Sequence, residues 1–167
     1  MKHTISVLVD NKPGVLVRVA GLFSGRGFNI QSLTVGETED ACVSRMTIVV
    51  VGDDMILEQV SKQLNKLVDT IKVIDMTEKQ FINRELALIK VAVNSGSRAE
   101  VMQIVNIFNG KVVDVSAKTF TIEVTGIDDK VNALLELLVP FGIKEMVRTG
   151  AVALTREWQK EETKQIK

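Results

Sequence analysis

A chain of 167 residues, 46% hydrophobic and 25% charged, is long enough for one domain or two small ones and can supply a core. Its 21 Lys/Arg balance 21 Asp/Glu, and the balance holds in both halves, with 9 against 10 over residues 1–80 and 12 against 11 over residues 81–167. Neither half is basic, aromatics are 4% with no tyrosine, and no apolar run nears the roughly 18 residues that span a bilayer, which argues against nucleic-acid and membrane partners.

Residues 3–9 alternate, with Ile5, Val7 and Val9 on one face and Thr4, Ser6 and Leu8 on the other, the pattern of a strand with one buried face. Asp10-Asn11-Lys12-Pro13-Gly14 breaks it, and Pro13 suits the first turn of a helix, where its missing N–H costs nothing. Apolar residues at 15, 16, 19, 22 and 23 then mark one helix face, and Ser24-Gly25-Arg26-Gly27 ends it. Residues 28–35 read as a strand whose apolar parity switches between Phe28/Ile30 and Leu33/Val35, as a bulge would cause. An acidic hairpin loop leads to a strand over residues 43–51. Asp53 caps a helix with an Ile56, Leu57, Val60, Leu64 and Leu67 stripe, and a strand over residues 70–76 closes the unit.

The order β-α-β-β-α-β, with right-handed crossovers, predicts a ferredoxin-like sandwich with both helices on one face. The other face carries Leu8, Val49 and Val51, more apolar than solvent requires, and is expected to meet a partner or a second domain. The second strand falls at the sheet edge, where unpaired backbone groups invite pairing with another copy.

A polar stretch over residues 77–83 reads as a linker. The pattern then repeats: a strand over 84–93, a helix over 98–108 with apolar 101, 104, 105 and 108, and Asn109-Gly110 as its end. A hairpin pair over 111–117 and 119–125, a helix over 128–139 stopped by Pro140, and a last strand over 145–154 complete it. The echo of Met46-Thr47-Ile48-Val49-Val50-Val51-Gly52 in Phe120-Thr121-Ile122-Glu123-Val124-Thr125-Gly126 falls at the same place in both units. The fold class is therefore α+β, two ferredoxin-like βαββαβ sandwiches: residues 1–77, a linker at 78–83, residues 84–155, and a charged tail at 156–167. The tail is read as a frayed helix or loose end, with Trp158 as a possible anchor.

No catalytic set emerges. His3, the sole histidine, reads as a surface or strand residue and cannot build a metal cluster alone. Cys42 excludes an internal disulfide, follows an acidic loop that disfavours a thiolate, and reads as an inert strand residue. With the first residues leading straight into a strand, no leader is expected, and the setting is read as cytoplasmic. Asp53/Asp54 and Asp128/Asp129 begin helices, where negative charge is favourable. No catalytic residue, metal site or cofactor is assigned to this chain.

The corner from Asn11 to Gly14 stands apart. A helix N-terminus offers unpaired N–H groups and partial positive charge. Pro13 has none to give, so the donors are Gly14, Val15 and Leu16, and Gly14 has no side chain to block approach. A carboxylate fits there, and Asn29 on the edge strand offers a further hydrogen bond. Equally, Asn11 reads as a plain helix cap. Both readings stand on the residues alone.

Asn11-Lys12-Pro13-Gly14-Val15-Leu16, Gly21-Leu22-Phe23, Arg26-Gly27-Phe28-Asn29-Ile30, Ser32-Leu33-Thr34-Val35-Gly36 and Ser44-Arg45-Met46 together resemble an ACT domain. With Ile107-Phe108, Gly110-Lys111-Val112-Val113-Asp114-Val115 and Arg148-Thr149-Gly150, the chain resembles the small regulatory subunits of acetolactate (acetohydroxyacid) synthase over residues 2–155. The resemblance implies that residues 1–77 form an ACT domain and that two copies join their ACT sheets side by side into a homodimer. It implies that valine or a related branched-chain amino acid binds between the copies, with Asn11, Gly14, Val15, Leu16, Asn29 and Ile30 at the effector-contacting positions. It also implies a large catalytic subunit carrying thiamine diphosphate, Mg and FAD, which condenses two pyruvates to acetolactate and is activated and feedback-inhibited through the small one. Many members have arginine where this chain has Asn109. The alternative is a stand-alone ACT-type amino-acid sensor that acts on another enzyme.

Overall fold

In the computed structural model, which describes residues 1–25, 27–77 and 79–156, the two predicted units are built from nine strands and four helices. The first comprises β1 (Lys2–Asp10), α1 (Val15–Ser24), β2 (Ile30–Glu37), β3 (Val43–Val51), α2 (Asp54–Leu64) and β4 (Thr70–Asp75). Its sheet has the order β2-β3-β1-β4 with all neighbours antiparallel, which leaves β2 at one edge. Odd-numbered Ile5, Val7 and Val9 of β1 and even-numbered Met46, Ile48 and Val50 of β3 face the helices. There they meet Val15, Val19 and Phe23 of α1 and Val60 and Leu64 of α2 in one buried cluster. Each such side chain is worth roughly 1.5–3 kcal/mol when fully removed from water, so this face sets the register of the strands. The parity switch in β2 is a register shift between Ile30 and Ser32 against β3.

The second unit repeats the plan with β5 (Phe81–Ala92), α3 (Arg98–Ile107), β6 (Lys111–Val115), β7 (Thr119–Gly126), α4 (Asp128–Leu138), a 3₁₀ turn at Val139–Phe141, β8 (Ile143–Arg148) and β9 (Val152–Thr155). The sheet order is β6-β7-β5-β8, and β9 pairs with β5 outside that path. Ala87, Ile89 and Val91 of β5 pack with Ile122 and Val124 of β7, Val101 and Val105 of α3, and Val131, Leu134 and Leu138 of α4. Asn109 follows α3 in the left-handed conformation, φ 52°, which asparagine tolerates better than most residues.

Several elements depart from the sequence reading. The strand expected from residue 84 begins at Phe81, because Phe81–Arg84 pairs with Val152–Thr155 of β9. The single last strand expected over residues 145–154 is two, β8 and β9, separated at Gly150, whose φ of 82° interrupts any extended run. Cys42 is exposed in the turn before β3 and not within a strand. His3 lies in β1 but is fully buried, its Nε2 3.1 Å from Gly52 O and its Nδ1 3.4 Å from Thr77 Oγ1. The reading of the tail falls largely on residues 157–167, outside the described residues.

The open face of the first sheet is not left to solvent. Ser6, Thr47 and Val49 point away from both helices yet are 0%, 3% and 1% exposed. Residues of the second unit lie beside two of them: Thr47 shares a groove with Ile82, Arg84 and residues 152–154, and Thr4 and Val49 line a cavity of about 330 Å³ with Arg84, Glu85 and Arg148. Val51 stays more than half exposed.

Candidate functional site: the helix N-terminal corner and the edge strand

The corner after β1 is held by tertiary contacts, not by a local cap. Asn11 Nδ2 donates to Glu37 Oε1 at 3.0 Å and to Ala41 O at 2.9 Å, and Asn11 N donates to Cys42 O at 2.7 Å. The capping reading of Asn11 is thereby corrected: its side chain is spent on the β2–β3 hairpin, and the N-cap position belongs to Gly14, with no side-chain cap. Pro13 likewise lies before the helix and not in its first turn, since α1 begins at Val15.

Gly14 has φ 85°, a left-handed conformation that costs an L side chain roughly 1–2 kcal/mol. Pro13 supplies the preset φ before it, so Pro-Gly turns the chain sharply into α1. Val15 N reaches back to Lys12 O at 3.4 Å, and its side chain is buried in the core. The amides of Gly14, Leu16 and Val17 carry no backbone hydrogen bond among the described residues. Three N–H groups without backbone partners at a helix N-terminus can donate to an anion.

Two cations flank it. Arg18, one turn on, places Nη1 3.3 Å from where a Cβ on Gly14 would stand, and its Nε donates to Asp69 Oδ2 at 2.8 Å. Lys12 Nζ donates to Asp10 Oδ2 at 2.7 Å, and this hydrogen bond raises the ammonium pKa above its usual 10.5. Arg18 was absent from the sequence-derived site; its spacing of four from Gly14, one helical turn, was the signal that could have found it.

Asn29 and Ile30 lie elsewhere. Asn29 is exposed and falls one residue before β2 begins; Ile30 is half-buried and pairs with Val50, itself opposite His3 at the start of β1. The corner sits at the other end of the sheet, where Glu37 pairs with Ser44 and Asp10 with Val43. Seven strand residues separate the two ends, roughly 23 Å at about 3.3 Å per residue. Within one copy the structure joins Asn11, Gly14, Val15 and Leu16 and does not bring Asn29 or Ile30 to them.

A charged network missed by the sequence reading links the units. Arg148 Nη2 bonds the almost buried Glu85 carboxylate, donates to Asp128 Oδ1 at 2.7 Å, and Nη1 donates to Asn132 Oδ1 at 2.9 Å. Lys2 Nζ of β1 donates to Asp128 Oδ2 at 2.6 Å. Lys2 and then Arg148 hold the Asp128 carboxyl below the ordinary carboxylate range, against the opposing effect of partial burial. Lys2 and Asp128 are 126 positions apart and carry no local signal. Among the described residues no group of three or more His, Cys, Asp or Glu is placed to hold a metal, and no helix is long and apolar enough to cross a membrane.

A βαββαβ sheet with an exposed helix N-terminus after its first strand and an open edge at its second is the architecture of an ACT-type module. Residues 5–72 match the family model of the AHAS small subunit-like ACT domain, and residues 84–157 match that of the small subunit of acetolactate synthase. The chain is 60% identical over 156 residues to the probable acetolactate synthase small subunit of Archaeoglobus fulgidus, covering 93% of this chain and 98% of that protein. It is 59% identical over 157 residues to the acetolactate synthase small subunit of Aquifex aeolicus, covering 93% and 82%. The crystal structure of the acetolactate synthase small subunit from Thermotoga maritima matches with a TM-score of 0.86 at 46% identity, covering 94% of this chain and 98% of that one. The chain belongs to the acetolactate synthase small-subunit family, whose members are regulatory and not catalytic.

Proposed function

We propose that this subunit binds a branched-chain amino acid, valine or a close relative, at the corner after β1, and that binding lowers the activity of the large catalytic subunit it otherwise activates. The observation that carries the reading is the set of free amides at Gly14, Leu16 and Val17 beside the Arg18 guanidinium. A carboxylate there gains the helix N-terminal field, worth about 0.3–1 kcal/mol when exposed and up to about 2 when partly buried, and charge-assisted hydrogen bonds besides.

The effector site needs two copies. β2 is an edge strand, and pairing it antiparallel with β2 of a second copy sets the Asn29 end of one protomer against the Glu37 end of the other. That operation carries Asn29 and Ile30 of one copy toward Asn11 and Gly14 of its partner, closing a distance that one chain leaves open. The dimer is isologous, so it makes two equivalent sites. Residues 1–77 then serve binding and dimerisation, and residues 84–155 form the second unit. In this reading the complex works in the cytoplasm in branched-chain amino-acid biosynthesis, and thiamine diphosphate, Mg and FAD reside on the large subunit.

Calorimetric titration of the full-length subunit with valine, leucine and isoleucine tests the reading. Saturable binding of at least one at a stoichiometry near one per chain is expected. Absence of heat and of any thermal shift with all three overturns it.

A further inference from the structure

The strand that carries the Asn29–Glu37 edge is gripped at its middle by the other half of the chain. Thr34 Oγ1 donates to Thr149 O at 3.2 Å, and Ala151 N donates to Ser32 Oγ at 3.1 Å. Between those two contacts Gly150, φ 82°, lies flat against β2. A Cβ on Gly150 would sit inside the contact distance of Ser32 Oγ and 3.1 Å from Thr34 Oγ1. The turn therefore needs glycine twice, for its left-handed backbone and for its close approach.

On its own side the turn is rigid. Thr149 N donates to Leu86 O at 3.0 Å and Leu86 N donates to Thr149 Oγ1 at 3.1 Å, which locks it to β5. The preceding residue, Arg148, is held by Glu85, Asp128 and Asn132, so the turn is continuous with the N-terminus of α4. On the other side it seats on Ser32 and Thr34, next to the register shift between Ile30 and Ser32 and midway between the two ends of β2. A change in the pairing, twist or register of β2 cannot leave that seat unchanged.

We propose that the turn between β8 and β9, with Gly150 seated on Ser32 and Thr34, is the contact through which the effector-bound state of β2 is passed to the second unit. The inference rests on the effector reading above. It assigns Gly150, Ser32 and Thr34 to coupling and not to ligand contact. Coupling of this kind is a difference in free energy between two arrangements that both the site and the turn distinguish.

The test uses the full-length subunit reconstituted with its large subunit. Gly150→Ala is expected to bind valine within about threefold of the unsubstituted protein and to activate the large subunit as before. Its concentration for half-maximal inhibition is expected to rise at least tenfold, or inhibition to vanish. Should Gly150→Ala not fold, the double variant Ser32→Ala/Thr34→Val removes both hydrogen bonds at nearly constant volume and is expected to show the same split. Normal binding with normal inhibition in a folded variant overturns the inference and leaves the effector reading intact. Loss of binding together with inhibition also overturns it, since the turn would then belong to the site. If the unsubstituted protein binds none of the three amino acids, the effector reading falls first and the inference falls with it.

Discussion

Asn11 and Glu37, 26 residues apart, are joined by a 3.0 Å hydrogen bond that ties the loop after β1 to the far end of the edge strand. The bond explains how an exposed loop is held with its helix amides facing outward. It also fixes which end of β2 the corner sees, and therefore which end a second copy must supply.

Gly14→Asp is expected to abolish the feedback response. The new carboxylate would occupy the anion position, and the left-handed backbone adds roughly 1–2 kcal/mol of strain. Arg18 Nη1, 3.3 Å from the added Cβ position, is the far end of a flexible side chain and has to give way by only a few tenths of an ångström, so the substitution is expected to leave the fold in place. Calorimetry with valine should show no binding while circular dichroism stays that of the parent; persistent binding would mean that the corner is misassigned.

Mixing two inactive variants is expected to restore binding. A protomer carrying Gly14→Asp still offers Asn29, and one carrying Asn29→Ala still offers its corner. A heterodimer of the two holds one intact site and one doubly damaged site. Equal mixing with free exchange makes about half of the dimers heterodimers, so about a quarter of all sites recover. Recovery of none would place both groups in one chain's site, in conflict with their separation along the sheet.

Arg148→Met is expected to destabilise the protein by roughly 3 kcal/mol, because it leaves the Glu85 carboxylate, 8% exposed, without its partner. Adding Glu85→Leu should recover most of the loss, since a matched apolar pair is often as stable as a buried ion pair. Urea unfolding followed by circular dichroism reads both.

The Asp128 carboxyl is held low by Lys2 and Arg148 in the folded chain. Between that lowered pKa and the unfolded value near 3.8, the unfolded state binds more protons, so stability rises with pH. The contribution is complete above the unfolded value and is lost as pH falls through the folded one. Asp128→Asn should therefore flatten the acid limb of a stability-against-pH profile and leave its shape near neutrality unchanged. With Asp128 about one-third exposed the effect is small, and an unchanged acid limb would show that Lys2 and Arg148 do not hold it.

Asp53→Ala removes the side-chain cap of α2, in which Asp53 Oδ1 accepts from Ile56 N at 2.9 Å. A loss of about 1 kcal/mol is expected, seen as a lower melting temperature with valine binding unchanged; no change would mean that water replaces the cap.

Local pattern carried most of the fold into view. Ile5, Val7 and Val9 alternate because one face of β1 is buried, and Val101, Ile104 and Val105 recur because one face of α3 is. The two units, the edge position of β2 and the bulge near Ile30 followed from such spacing. What stayed hidden was set by distant partners. Asn11 looks like a cap until Glu37 and Ala41 are in place. Lys2 shows no sign of Asp128, and the apolar residues on either side, Met146-Val147 and Ala151 to Leu154, conceal the break that Gly150 makes. Asn29, read as part of the edge strand, falls one residue before it, and the directions of β1 and β2 put it at the wrong end for its own corner.

β5 takes part in three ladders: its first residues, Phe81 to Arg84, pair with β9, and the rest lie between β7 and β8. Register on such a strand is a shared setting. Moving it by one residue would turn Ala87, Ile89 and Val91 out of the second core and would also displace the β9 ribbon that shares a groove with Thr47. The strand thus works as a gauge bar between ladders: a residue inserted within it would shift its pairings on both sides at once.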